Sequence, residues 1–185
     1  LYIDGSGSAF DPHPLTTASA SYNTPAGSYV DSNDADHATL TAQIFTRPLP
    51  ELTLISGLYY LRGPWCYIDE FESPISAPAT SADPNGFVFG RLAQGFEDAN
   101  AYHHIDQNQR YMQSLGFNTI QHAPIHVDTH GLSGADNSHY IPSTNKIAWG
   151  EGDGRATMMD LGNGNCLEIF AGAEPAPRPE GSLLH

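Results

Sequence analysis

Imidazole both ligates transition metals and moves protons near neutral pH, so the nine histidines of this chain come first. His126 and His130 stand four apart in the run H-V-D-T-H. On a helix that spacing turns two imidazoles toward one zinc ion. The Glu that would polarise a zinc-bound water is missing from the run, and H-E-x-x-H occurs nowhere in the sequence. Pro124 before the run and Gly131 after it favour strand or loop over helix. In a strand His126, Asp128 and His130 would share one face. The expectation is therefore an exposed polar strand face, with His126 and His130 kept as metal candidates.

His103 and His104 are neighbours on a predicted helix, where their side chains point about 100° apart and do not easily reach one ion. One is expected at the edge of the core and the other in solvent. His13, His37 and His139 have no local partner pattern. The acids Asp128, Asp136, Glu151 and Asp153 do not form a calcium loop, because no D-x-[DN]-x-[DN]-G run ends in Glu. They read as scattered surface acids. A G-x-S-x-G elbow, a Walker loop and a dinucleotide fingerprint are all absent from the sequence.

The elements that must position these groups follow from the apolar pattern. Residues 96–117 hold the one strong helical pattern, with Phe96, Ala99, Tyr102, Ile105, Met112 and Leu115 recurring at near-helical spacing. The helix is expected over about 96–116, with Tyr102, Ile105, Met112 and Leu115 turned inward and Gly116 as its C-terminal cap. Residues 1–36 read as turns and loops with short extended pieces. ATLTAQIFT and ELTLISGLYYL alternate as half-buried strands do, separated by Pro48 and Pro50, and GPWCYIDEF reads as another short strand. The three prolines of residues 72–86, with small polar residues between them, mark a linker or long loop. NTIQHAPIHVDTHG reads as extended chain and IPSTNKIAWGEG as a turn and a strand. TMMDLGNGNCLEIF, at 157–170, reads as a hairpin around Gly162-Asn163-Gly164. The fold class that results is α+β: a β-rich N-terminal part, one long helix packed on a mainly antiparallel sheet, and a C-terminal β-hairpin. Three regions are expected, at 1–75, 76–152 and 153–185.

Composition sets outer bounds. At 39% hydrophobic, 185 residues bury a real core. With 21 acidic against 7 basic residues the net charge is −14, which repels phosphate backbones and argues against nucleic acid and anionic membranes as partners. No run of about 18 apolar residues exists to span a membrane. Few Lys and Arg with many Ser, Thr, Asn, Gly and aromatics suit an exported protein. Cys66 and Cys166 form no C-x-x-C and are expected to be two unpaired thiols. Both ends read as though cut from a longer chain.

The order FEDANAYHHIDQNQRYMQSLGF, PIHVDTHG, GADNSHYIPSTNKIAWGEG resembles zinc peptidases of the fungalysin and thermolysin type. Upstream, FDPHPLTTAS, YVDSNDAD and LYYLRGPWCYIDEFESP resemble the segment that precedes the catalytic domain in bacterial fungalysin-like proteins. The resemblance implies a helix packed under a sheet whose upper edge strand takes peptide substrates by backbone hydrogen bonds. The matching positions are Asn137, Ser138, His139 and Tyr140. It implies zinc in the intact peptidase, held by two His and a Glu that this chain lacks beyond Gly152. The expectation is a catalytically incomplete fragment of a secreted zinc endopeptidase, with no cofactor of its own. The alternative is a non-catalytic extracellular module that docks peptide strands.

From about Asp153, DGRATMMDLGNGNCLEIFAGAEPAPRPEGSLLH resembles the closing part of a glyoxalase-type (vicinal oxygen chelate) domain. That resemblance would make Glu168 a metal ligand and the tail part of a metal-dependent lyase or dioxygenase. The two resemblances meet at Gly152-Asp153-Gly154, as in a joined reading frame or a fragment of a larger product. A chain lacking the metal helix is expected to leave an apolar face around Ile120, Ile125, Ile147 and Trp149 uncovered, and so to self-associate.

Overall fold

The computed structural model describes residues 1–22, 24–26, 37–135 and 137–150. In chain order the elements are β1 (Tyr2–Ala9), α1 (Pro14–Thr17), α2 (Ala38–Thr41), β2 (Phe45–Ile55), β3 (Leu58–Tyr60), β4 (Cys66–Ile68), β5 (Thr80–Ser81), α3 (Gln94–Ser114), β6 (Ile125–Asp128), β7 (Ser138–Ile141) and β8 (Lys146–Trp149). The fold is α+β. One four-stranded sheet has the order β1-β2-β3-β5 and is antiparallel throughout. The other has the order β4-β6-β8-β7, with β4, β6 and β8 parallel and β7 antiparallel to β8. Helix α3 packs on β1 and β2 of the first sheet and β4 of the second. Among the described residues no helix is long and apolar enough to cross a membrane.

The first sheet departs most from the sequence expectation. YIDGSGSA lacks apolar alternation, yet it forms β1. The small residues are required by close approach: a Cβ on Gly5 would overlap the Pro84 carbonyl, and one on Gly7 would lie 2.6 Å from Leu49 Cδ1. The outer side of β1 is covered by Ser6 N–H donating to Pro84 O and Ser8 N–H to Phe87 O. Pro48 and Pro50 do not separate two strands but lie within β2. At that level β2 pairs only with β1, so the missing N–H groups leave no ladder bond unmade. A bulge sets Pro50 and Glu51 against Asp4 alone; Glu51 has φ of 57° and donates its N–H to Asp4 Oδ1. ELTLISGLYYL is two strands rather than one. Ser56 and Gly57, at φ of 50° and 84°, make the two-residue turn that matches hairpin twist. ATLT is a short helix, not strand, because His37 caps it by accepting from Thr39 N–H. His13 caps α1 in the same way.

Helix α3 starts and ends two residues earlier than expected. Gly116, at φ of 91°, follows its last turn in the left-handed conformation. Phe96, Ala99, Tyr102 and Ile105 enter a core shared with Leu49, Leu52, Leu61, Ile68, Phe87, Val127 and Trp149. Leu115 does not turn inward: it is 56% exposed, and Met112 is half-buried. The N-terminal half of α3 lies against both sheets and is buried nearly all round, so Glu97, Asp98, Asn100, His103 and Asp106 are buried with it. Apolar spacing alone therefore could not find the helix's buried faces.

The proline-rich stretch at 72–86 is tied down rather than a free linker. Ser133 N–H donates to Ser73 O, and Ala79 N–H to Asp98 Oδ2. Chain crosses between sheets around residue 75, because β4 lies in the second sheet and β5 returns to the first. The turn and strand expected over IPSTNKIAWGEG are present: β7 and β8 form the last described hairpin, closed by Pro142–Asn145 with Asn145 at φ of 52°. The hairpin expected at 157–170, the junction at 152–154 and the tail lie outside the described residues.

Candidate functional site

Strand β7 is the outer strand of the second sheet. Asn137 O accepts from Gly150 N–H at 3.0 Å, and the register continues as Ser138↔Trp149, His139↔Ala148, Tyr140↔Ile147 and Ile141↔Lys146. In an antiparallel pair hydrogen-bonded and non-bonded positions alternate. Residues 137, 139 and 141 thus bond to β8, while Ser138 and Tyr140 turn their backbone groups away from it. The Ser138 N–H is taken by the Asn137 side chain at 2.8 Å. Ser138 C=O and both backbone groups of Tyr140 remain on the outer edge, where no described strand pairs with them. Gly150 holds the register, since a Cβ there would overlap the Ala135 carbonyl.

Side chains brace this edge. Tyr140 Oη donates to Asn145 Oδ1 at 2.9 Å and accepts from Gln121 Nε2 at 3.1 Å. Asn145 Nδ2 donates to Pro124 O at 2.8 Å. His139 Nε2 lies 2.8 Å from Glu72 Oε1, and Glu72 Oε2 accepts from Leu132 N–H. Beside the strand is a cleft of about 410 Å³, walled by Met112 of α3 and by Ile125, Ile147 and Trp149 of the sheet. Asn108, Gln109, Gln121 and residues 138–140 complete its lining. Ile125, Ile147 and Trp149 are buried, so the uncovered apolar face expected there is not present at these three; only Ile120, at 52% exposure, stands in solvent.

The metal candidates do not converge. His126 is on β6, half-buried, with Nδ1 2.9 Å from Asp69 Oδ2 and its ring edge-on to Tyr67. Strand β6 ends at Asp128, so the shared strand face does not extend to His130. Asp128 and His130 are buried, not an exposed polar face. Asp128 accepts from the N–H groups of Phe71, Glu72 and His130, and His130 Nδ1 lies 3.2 Å from Glu97. Among the described residues no group of three His, Cys, Asp or Glu is placed to hold a metal ion. Glu168, Glu151, Asp153 and Asp136 lie outside the described residues. His103 and His104 are each bound to a backbone carbonyl, so neither points to solvent as expected.

Sequence reasoning missed Glu72, Asp98 and Asp128 as organisers. Asp98 joins Thr129 Oγ1 to Ala79 N–H, and burial holds its carboxyl above the usual carboxylate range. These acids sit at loop ends or on a buried helix face, where no periodicity reports them. Comparison with protein-family models, with curated proteins and with solved structures finds no match for this chain.

Proposed function

We propose that this chain is the peptide-docking lobe of a metallopeptidase-like domain, taking an extended peptide along the outer edge of β7. The observation that carries the proposal is that edge, with Ser138 C=O and the Tyr140 N–H and C=O directed away from β8. An added strand would complete the ladder there by backbone hydrogen bonds. The apolar cleft alongside offers a seat for one peptide side chain. Asn137, Ser138, His139 and Tyr140 are then the substrate-contacting residues. Hydrolysis is not proposed for these residues, because the sequence carries no H-E-x-x-H to supply zinc and its activated water. An extracellular setting belongs to the same proposal and rests on composition and resemblance.

The test is titration of the full chain with fluorescent extended peptides, comparing Tyr140→Pro with Tyr140→Phe. Proline at an outward edge position removes only a donor that β8 does not use. Binding at least tenfold weaker for Tyr140→Pro, with Tyr140→Phe near wild type, is expected. Equal binding by both variants would overturn the edge as the docking site.

A further inference from the structure

Opposed residues of an antiparallel pair share a face of the sheet, and side chains alternate between faces along a strand. Ser138 and Tyr140 therefore stand on the same face as Trp149 and Ile147, the face that meets Gln109 and Met112 of α3 across the cleft. Both also turn their backbone groups outward, so peptide residues paired with them would place their side chains on that face. The peptide residue paired with Tyr140 meets a ring already held by Gln121 and Asn145. The one opposite Ser138 meets only a short side chain, past which a long one can reach into the cleft.

The walls specify what enters. Among the described residues no Asp, Glu, Lys or Arg lines the cleft, so a charged side chain would lose water without gaining a counter-charge. Trp149 and the Met112 thioether favour an aromatic ring, one by ring contact and the other through sulfur. Three of the polar side chains are engaged: Asn108 Nδ2 lies 3.9 Å from Met112 Sδ, Gln121 Nε2 donates to Tyr140 Oη, and His139 pairs with Glu72. Gln109 differs. It is 2% exposed, and its Oε1 is buried without a hydrogen-bond partner. A buried amide oxygen in that state is costly, and a donor carried in by a ligand relieves it.

We propose, resting on the docking of a peptide strand at β7, that the cleft selects a tyrosine in that strand, at the residue opposite Ser138, and that Gln109 binds its hydroxyl. The terminal torsion of a glutamine is soft, so the amide can turn either end toward the cleft. A phenol hydroxyl both donates and accepts, and so pairs with whichever end is presented. Phenylalanine fills the apolar part but leaves Gln109 unpaired, and the hydroxyls of serine and threonine lie too close to the peptide backbone to reach α3. Gln109 is thus a specificity-determining residue that takes no part in the backbone contacts of the edge.

Fluorescence titration of the full chain tests this, with labelled peptides of alternating Thr and Val that carry Tyr, Phe, Lys or Glu at the centre. The Tyr peptide should bind about tenfold tighter than the Phe peptide, and the Lys and Glu peptides more weakly than either. Gln109→Leu, which keeps the bulk of the side chain and removes the amide, should bring the Tyr peptide down to the level of the Phe peptide. Tyr140→Pro should weaken both by the same factor, because it acts on the shared backbone contacts. Equal binding of Tyr and Phe peptides by the wild type, or a Tyr preference that survives in Gln109→Leu, would overturn the tyrosine site; the edge itself would stand if Tyr140→Pro still weakened both. Absence of binding by every peptide, or binding that Tyr140→Pro leaves unchanged, would remove the edge and the tyrosine site together. If Gln109→Leu does not fold, the wild-type ratio of Tyr to Phe binding decides: about tenfold supports the site, and unity defeats it.

Discussion

Glu72 and His139 join two parts of the chain that the sequence gives no reason to connect: Glu72 Oε1 lies 2.8 Å from His139 Nε2 on β7. The other Glu72 oxygen accepts from Leu132 N–H, so one carboxylate braces both the edge strand and the turn before it. The Glu72–His139 contact is partly exposed, and the larger share comes from the backbone bond. Glu72→Ala should cost about 1–2 kcal/mol in urea unfolding. A change within experimental error would mean that β7 does not depend on this brace.

Helix α3 allows a paired test of which face is core. Ile105 is 1% exposed among residues of both sheets, whereas Leu115 is 56% exposed. Ile105→Ala should cost about 2–4 kcal/mol, the range for deleting a buried aliphatic side chain. Leu115→Ala should stay within about 0.5 kcal/mol of wild type. Equal losses at both positions would show that the helix is rotated from the orientation described.

How far the sequence reports this architecture depends on what holds each element. Helix α3, strand β8 with the turn before it and the α+β class are legible because apolar spacing and turn residues dictate them. Strand β1 is hidden because Gly5 and Gly7 serve close backbone approach instead of side-chain burial. The prolines of β2 read as breakers, since nothing local reveals that Tyr102 and His103 take the Pro50 and Pro48 carbonyls. The edge Asn137–Tyr140 was reached through resemblance, and the structure places it on a sheet edge. Glu72, Asp98 and Asp128 escaped because all their partners but His130, which sits two residues from Asp128, lie 19 to 67 residues away, as with Ala79 for Asp98 and His139 for Glu72.

Cys66 offers a chemical probe of the core between the sheets. Its side chain is buried, and burial together with the charges of Asp106 and Asp98 pushes its thiol well above the ordinary range. The thiolate is the reactive form, so native protein should resist alkylation there. Iodoacetamide at pH 8 followed by peptide mapping should leave Cys66 unmodified in buffer and fully modified in denaturing urea. Rapid native labelling of Cys66 would show that the core opens locally far more often than its packing implies.

Zinc content tests the reading of H-V-D-T-H. To bind one ion, His126 on β6 and His130, buried past the strand's end beside Glu97, would have to be brought together across the turn. Asp128, the third donor in the run, would have to give up oxygens that now accept three backbone N–H groups. Each loss costs roughly 1–3 kcal/mol, which erodes the gain from two or three ligands. Purified chain dialysed against micromolar zinc should therefore retain less than about one ion in ten molecules. His126→Ala and His130→Ala should leave that low value unchanged. Stoichiometric zinc in the wild type, lost in both variants, would instead show that the turn after β6 rearranges to bring these imidazoles together.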